Sequence, residues 1–250
     1  MDFALAAFAF APGLALGSFM NVVAARVPLR RSLVSPGSAC MSCGHEIGWR
    51  DNVPVLSWLL LRGRCRSCKA TIPWRYPAVE LVSALLVAGC ALKFGLHPEA
   101  LVAAVFCLVL VAVSATDLEH GIIPNRIVLP AFVVILAAQT AVHPSLQWTL
   151  GALGASGFLF AAALIAPRGM GMGDVKLALV LGAMLGTTVA VGMFVGLLAA
   201  MVPAIVLFMR LGAGARKVKL PFGPFLAIGS VVALFAGHAL LQGYWALVHG

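Results

Sequence analysis

The chain has 250 residues, of which 62% are hydrophobic and 10% are charged, with 17 basic and 8 acidic side chains. Soluble domains carry about 25% charged residues, so this composition excludes a soluble fold, and its hydrophobicity excludes disorder. The apolar runs are long and continuous, which excludes a barrel of short alternating strands. The composition therefore predicts an all-α polytopic membrane protein.

Eight stretches of the sequence are candidates to cross a membrane, for which a helix needs about 20 mostly apolar residues. The sixth and seventh are short and are separated only by the region around Gly186–Thr188. The predicted spans are residues 3–25, 78–96, 100–116, 127–143, 146–165, 175–189, 190–209 and 222–243. We predict three parts: a first transmembrane helix at 1–25, a cytosolic loop at 26–76 and a transmembrane domain at 77–250.

The basic residues predict the orientation of these spans, because cytoplasmic loops carry an excess of Lys and Arg. With the N-terminus outside, 16 of the 17 basic residues fall on the cytosolic side and only Lys93 falls outside. We interpret the net charge of +9 as this topology signal and not as a nucleic-acid-binding patch. Asp2 precedes the first span and Arg26 follows it, which predicts a retained anchor and not a cleavable signal peptide.

The loop at 26–76 contains nine basic residues and four cysteines, and it is too small for an independent hydrophobic core. The cysteines form two C-x-x-C pairs, Cys40 with Cys43 and Cys65 with Cys68. Two such turns complete a tetrahedral set of thiolates, which predicts one structural zinc ion per chain. Disulfides, a redox pair or unliganded thiols are the alternatives, and a reducing cytosol disfavours structural disulfides. We find no internal repeat in the sequence.

Two aspartates lie at the cytosolic ends of predicted spans. Asp117 ends the third span, and Asp174 opens the sixth after Gly171 and Gly173, with Lys176 close behind. Two close carboxylates share a proton, so one can activate water while the other polarises a peptide carbonyl. The pair predicts a catalytic dyad, with the glycines giving its loop freedom to approach a substrate backbone. For each aspartate alone, a helix N-cap or a solvated helix end is the alternative.

Six segments in this order resemble the type IV prepilin peptidase family of GxGD-type aspartic proteases. They are Gly17–Val23, the two C-x-x-C pairs, Tyr76–Leu81, Asp117–Asn125, Gly171–Leu177 and Lys219–Ala227. Met20 stands where the family more usually has Leu. The resemblance covers nearly the whole chain and implies that Asp117 and Asp174 are the catalytic residues.

The resemblance also implies an activity, cofactors and partners. The family removes the leader peptide from type IV prepilins and type II secretion pseudopilins at the cytosolic face of the bacterial inner membrane. Many members then methylate the new amino terminus with S-adenosylmethionine, and members with the four-cysteine loop are associated with this second activity. The implied partners are those substrates and the lipid bilayer, with no nucleic acid, although the sequence itself shows no S-adenosylmethionine motif.

Glu80 lies near the start of the second predicted span, where an unpaired carboxylate is costly. We predict that it faces the protein interior, partnered by Arg75, by Lys176 or by the new amino terminus of a substrate. We assign it to cofactor binding, with a role in methyl transfer. The alternative is an interfacial side chain that extends to water.

Two other classes of function remain open from the residues. Asp117 and Asp174 could be relay groups of a proton- or ion-coupled transporter, although relay sites favour the middle of the bilayer. The chain could also be a non-catalytic, zinc-containing scaffold for pilus assembly, which leaves the paired aspartates unexplained.

Overall fold

The structure is a computed structural model that describes residues 2–165, 170–212, 214, 218 and 220–249. Within these residues the fold is helical, without strands, as the composition predicts. The helices are α1 (Asp2–Arg26), α2 (Leu56–Leu60), α3 (Arg75–Phe94), α4 (Pro98–His120), α5 (Asn125–Val142), α6 (Gln147–Ile165), α7 (Met172–Leu185), α8 (Val189–Leu211) and α9 (Gly223–His249). Among the basic residues used to predict orientation, Arg168, Arg216, Lys217 and Lys219 lie outside the described residues.

Seven stretches of the described chain are long and apolar enough to cross a membrane. They are Phe3–Arg26, Arg75–Phe94, Pro98–His120, Asn125–Val142, Gln147–Ile165, Met172–Leu211 and Gly223–Val248. The chain is therefore a multi-pass membrane protein. The sixth stretch has 40 residues, and a helix of that length would extend about 60 Å, twice the hydrocarbon core.

This long stretch is a helical hairpin, because a 3₁₀ turn at Gly186–Thr188 separates α7 from α8. Gly186 adopts a φ of +53°, a left-handed conformation that glycine tolerates. The turn packs against Trp148 near the start of α6 and against Gly237 of α9, whereas Gly196 of α8 contacts Phe225 near the start of α9. Helix α8 therefore runs back along α9, and the predicted sixth and seventh spans correspond to α7 and α8.

The chain divides into two compact units, residues 1–115 and 116–250. In the first unit, α1 packs directly on α3 through Gly13 and Gly17. A Cβ atom on Gly17 would lie 2.7 Å from the Cα of Glu80, and one on Gly13 would lie 2.7 Å from the Cα of Ala84. Small residues four positions apart let membrane helices approach closely, and here they bring α1 beside the first turns of α3.

In the second unit, glycines again form the helix contacts. Gly182 of α7 lies against Gly151 of α6, and Gly229 of α9 lies against Gly192 of α8. The buried Gln139 of α5 donates a 3.2 Å hydrogen bond from Nε2 to the carbonyl of Met184, near the end of α7. That carbonyl has no partner further along its own helix, so the side chain satisfies a backbone group that lipid would leave unbonded.

Candidate active site and metal centre

Asp117 lies in the last turn of α4 and is 7% exposed. Its Oδ2 accepts a 2.9 Å hydrogen bond from the backbone N–H of Gly223, the first residue of α9. The first N–H groups of a helix have no partner within that helix. The carboxylate at the end of α4 therefore accepts a hydrogen bond from an N–H at the start of α9 that would otherwise have no partner. This contact is absent from the sequence-based prediction, where Gly223 appears only as part of a family segment.

Asp174 lies in the first turn of α7 and is also 7% exposed. Its Oδ2 accepts a 3.2 Å hydrogen bond from the N–H of Gly171, and its own N–H donates to the carbonyl of Gly171 at 3.1 Å. Gly171 is therefore the N-cap of α7, and Asp174 reaches back from the third helical position. The alternative interpretation of Asp174 as the N-cap itself is wrong by three residues.

The two aspartates belong to the same unit. The turn that follows Asp117 packs on the residue before Asp174, because a Cβ on Gly173 would lie 2.9 Å from the Cβ of Ile123. The end of α4 and the start of α7 are thereby held side by side. The structure thus places two buried carboxylates, 57 positions apart in the sequence, at helix ends that meet in one unit.

Lys176 lies two residues beyond Asp174 and donates a 3.1 Å hydrogen bond from Nζ to Oδ1 of Asn125. Asn125 is the first residue of α5. The lysine therefore links the start of α7 to the start of α5. This contact shows a structural use for a residue that the sequence assigned to a supporting loop.

The four predicted cysteine ligands come together in the first unit. The Sγ atoms of Cys40, Cys43, Cys65 and Cys68 all lie within 4.8 Å of one another. The Sγ atoms of Cys40 and Cys68 are 3.7 Å apart, close to the edge of about 3.8 Å expected for a tetrahedron with Zn–S bonds of about 2.3 Å. Four thiols in this arrangement fit a structural zinc ion with a closed coordination shell.

The two cysteine pairs sit in equivalent hairpins. In the first, the N–H of Cys40 donates to the carbonyl of His45 at 2.9 Å; in the second, the N–H of Cys65 donates to Ala70 at 2.8 Å. Antiparallel bridges flank both turns, Ala39 with Glu46 and Arg64 with Thr71. The sequences Cys-x-Ser-Cys-x-x-x-Ile at 40–47 and 65–72 match. The prediction of no internal repeat is therefore wrong, because the repeat is only eight residues long.

The protonation of the cysteines depends on the turn backbone and on the neighbouring sulfurs. Hydrogen bonds from the backbone of Cys43 and Ser42 lower the pKa of Cys40 to about 6. The backbone of Ala70 lowers the pKa of Cys68, but the neighbouring thiols outweigh it and raise that pKa to about 11. A divalent cation bound by the four sulfurs would favour ionisation of all four thiols.

An ion pair between Arg66 and Asp51 links two segments of the cysteine loop. Nε and Nη2 of Arg66 donate to the two carboxylate oxygens of Asp51 at 2.7 and 2.6 Å. The Arg66 guanidinium lowers the pKa of Asp51, and the pair raises the pKa of Arg66. Arg66 is largely exposed, so the pair fixes the relative position of two loop segments but adds little to the free energy of folding. It joins the second hairpin to the segment that follows the first.

Glu80 is buried in the first unit, 8% exposed, as predicted. Its Oε2 accepts a 2.7 Å hydrogen bond from the backbone N–H of Val55, and the Ser18 side chain also hydrogen-bonds to it. Of the predicted basic partners, Lys176 donates instead to Asn125. The carboxylate therefore joins α1, α3 and the cysteine loop. Its predicted part in methyl transfer stays a prediction.

Comparison with known proteins agrees with this division of the chain. Residues 12–94 match the bacterial peptidase A24 N-terminal domain, and residues 104–209 match the type IV leader peptidase family. The first match contains the cysteine cluster and Glu80. The second contains both aspartates.

Curated relatives match over nearly their whole lengths. A Bacillus subtilis (strain 168) protein is 37% identical over 243 residues, covering 95% of this chain and 97% of the relative. A Burkholderia pseudomallei (strain 1026b) protein is 37% identical, covering 92% and 85%, and a Pseudomonas aeruginosa (PAO1) protein is 36% identical, covering 93% and 90%. All three are named prepilin leader peptidase/N-methyltransferase. No solved structure matches the chain.

A polytopic helical chain with paired buried aspartates and a four-cysteine loop belongs to the class of membrane-embedded aspartic peptidases. The chain is a member of the type IV leader peptidase family. The transporter and scaffold interpretations gain no support from these comparisons.

Proposed function

We propose that this chain is a prepilin leader peptidase that also methylates the amino terminus it exposes. The observation that carries the peptidase assignment is the placement of Asp117 and Asp174, two buried carboxylates at helix ends that meet within one unit. Each is fixed by a backbone N–H, that of Gly223 or Gly171. The family and the names of the relatives support prepilins and pseudopilins as substrates.

In the proposed reaction the dyad holds a single proton. The ionised aspartate removes a proton from water, whose oxygen attacks the carbonyl carbon at the leader junction, while the protonated aspartate donates to the carbonyl oxygen. The C–N bond then breaks, the leader leaves with a new carboxylate, and the mature chain takes up a proton as an amine. The glycines around Asp174 let the extended substrate backbone approach the carboxylates.

The proposed second activity needs a methyl donor and a zinc-stabilised loop. S-adenosylmethionine supplies a methyl group on a sulfonium, which becomes a neutral thioether as the amine gains the methyl and releases a proton. The names of the relatives support this donor. One zinc ion per chain, held by the four cysteines, stabilises the loop, because binding energy at such sites is largely folding energy.

We propose the bacterial inner membrane as the location, with the N-terminus outside and the dyad and zinc loop at the cytosolic face. The distribution of 16 of 17 basic residues supports this orientation. It places the dyad where the leader meets the first apolar helix of a prepilin.

The test is leader cleavage of a purified prepilin, followed by mass spectrometry, with the wild type, Asp117→Asn and Asp174→Asn. Each amide keeps the volume of its aspartate but removes the proton chemistry, so the rate should fall by about 100- to 10,000-fold. Glu119→Gln is the matched control, because Glu119 is an exposed carboxylate two residues from Asp117, and it should cleave normally. Near-normal cleavage by either Asn variant, with helicity intact, would overturn the assignment.

A further inference from the structure

The first unit contains a cavity of about 510 Å³. Its walls come from the end of α1, the start of α3 and the cysteine loop between them. Sites for cofactors and small molecules occupy roughly 300–1,000 Å³, so the volume suits a ligand the size of a nucleoside conjugate. All lining residues of this cavity lie between positions 18 and 80, within the first unit.

The lining combines a buried acid with a cation. Glu80 lines the cavity and is nine-tenths buried, with Oε2 bonded to the N–H of Val55. Arg26 also lines it, and its guanidinium donates to the carbonyls of Ser32 and Gly37, which are neutral acceptors. One cavity therefore presents a carboxylate and a guanidinium, the two groups that recognise the amine and the carboxylate of an amino acid.

The same cavity has a rigid aromatic wall. Trp58 lines it, and the indole N–H donates a 3.0 Å hydrogen bond to the carbonyl of Ile72. Gly63, with a φ of +65°, packs on that ring, where a Cβ would lie 2.9 Å from it. The ring is thus held in place by the second hairpin. A fixed aromatic surface in a cavity that also contains polar side chains such as Asn52 suits a flat heterocyclic base.

We propose that this cavity binds the S-adenosyl methyl donor, an inference that rests on the methyltransferase half of the proposed function. Glu80 binds the cationic amino group and Arg26 binds the carboxylate. The adenine packs against the Trp58 ring. A methyl donor of this class carries all three chemical features, whereas a lipid tail or an apolar peptide helix carries none of them. Glu80, for which the sequence predicts a part in methyl transfer, then serves the donor.

The cysteine cluster then also has a role in methyl transfer. Cys40 and Cys65 line the cavity, as do residues of both hairpins. A metal that closes the two hairpins therefore fixes one wall of the donor site. Donor binding should depend on zinc more steeply than leader cleavage does.

The test measures equilibrium binding of S-adenosylhomocysteine, which keeps the amino acid and nucleoside but cannot transfer a methyl group. Ala25→Trp places an indole in the cavity, since Ala25 lines it at the end of α1. Ala15→Trp is the control on the same helix, at an exposed position outside the lining. Affinity should fall by about tenfold or more in Ala25→Trp and stay unchanged in Ala15→Trp. Glu80→Gln, which keeps an acceptor for the Val55 N–H, should also weaken binding.

Zinc content and prepilin cleavage are measured on each variant to show that the protein is folded. Ultraviolet cross-linking of tritiated S-adenosylmethionine should label peptides within residues 18–80. Wild-type affinity in both Ala25→Trp and Glu80→Gln, or labelling confined to the second unit, would overturn the proposal. If the wild type binds no S-adenosylhomocysteine, this inference and the methyltransferase proposal both fail, while normal cleavage in the same preparation leaves the peptidase assignment intact.

Discussion

The backbone N–H of Gly223 donates a 2.9 Å hydrogen bond to Oδ2 of Asp117, across 106 positions of the sequence. A Cβ on Gly223 would lie 2.9 Å from that oxygen and 3.4 Å from the Asp117 Cβ. The start of α9 therefore sets the position of this carboxylate, and only a residue without a side chain fits there without displacement.

Gly223→Ala should lower the rate of leader cleavage by about 10- to 100-fold, because a displacement of about 1 Å at a catalytic group has effects of this size. The variant keeps the N–H donor, so the loss reports displacement and not a missing hydrogen bond. Gly243→Ala lies on the same helix with no atom within 4 Å of the added Cβ, and it should cleave at the wild-type rate. Equal rates for the two variants would show that α9 does not position Asp117.

The contact between Gly173 and Ile123 permits a rescue experiment. Gly173→Ala should slow cleavage by about tenfold or more, because the new Cβ meets the Ile123 Cβ and moves the loop before Asp174. Adding Ile123→Gly removes the opposing atoms and should restore part of the rate, a coupling that independent sites do not show. Gly157→Ala, at an open position of α6, is the control. Strictly additive effects of Gly173→Ala and Ile123→Gly would argue against this contact as the cause.

The sequence predicts the helices, the cysteine cluster and the two aspartates because each has a local signature: apolar length, C-x-x-C spacing, or a carboxylate beside a span. Gly223 has no such signature, because its importance comes from a backbone N–H that meets Asp117 only after folding. The partner of Glu80 was missed for a similar reason. Val55 donates a hydrogen bond from its main-chain N–H, which lies in a strained turn. No pattern of side chains in the sequence predicts that bond.

Zinc removal should affect the loop first. Purified protein should contain one zinc per chain by elemental analysis, and Cys68→Ser or chelation should lower the melting temperature and expose residues 26–76 to proteolysis. Ser67→Ala, in the same turn, is the control and should keep the metal. Protein purified without chelators that holds no zinc, yet resists proteolysis in this segment, would contradict the metal assignment.

Val55 provides a test of strain in the loop. Its φ of +59° and ψ of −50° form a γ-turn, in which the N–H of Leu56 faces the carbonyl of Pro54, and this conformation is costly for a β-branched residue. Val55→Gly should therefore leave the melting temperature unchanged or raise it by a few degrees, since the N–H to Glu80 remains. Val53→Gly, on an exposed neighbour, should lower it. A large loss of stability in Val55→Gly would show that the Val55 side chain matters more than its backbone.

The most direct test of the dyad compares single-turnover cleavage of a prepilin by Asp117→Asn, Asp174→Asn and the double variant. Because the two carboxylates act as one unit, the double variant should be no slower than the slower single variant, within a few-fold. All three should retain wild-type helicity and zinc content. Losses that multiply in the double variant, or a single variant that still cleaves at near wild-type rate, would contradict a shared catalytic function of Asp117 and Asp174.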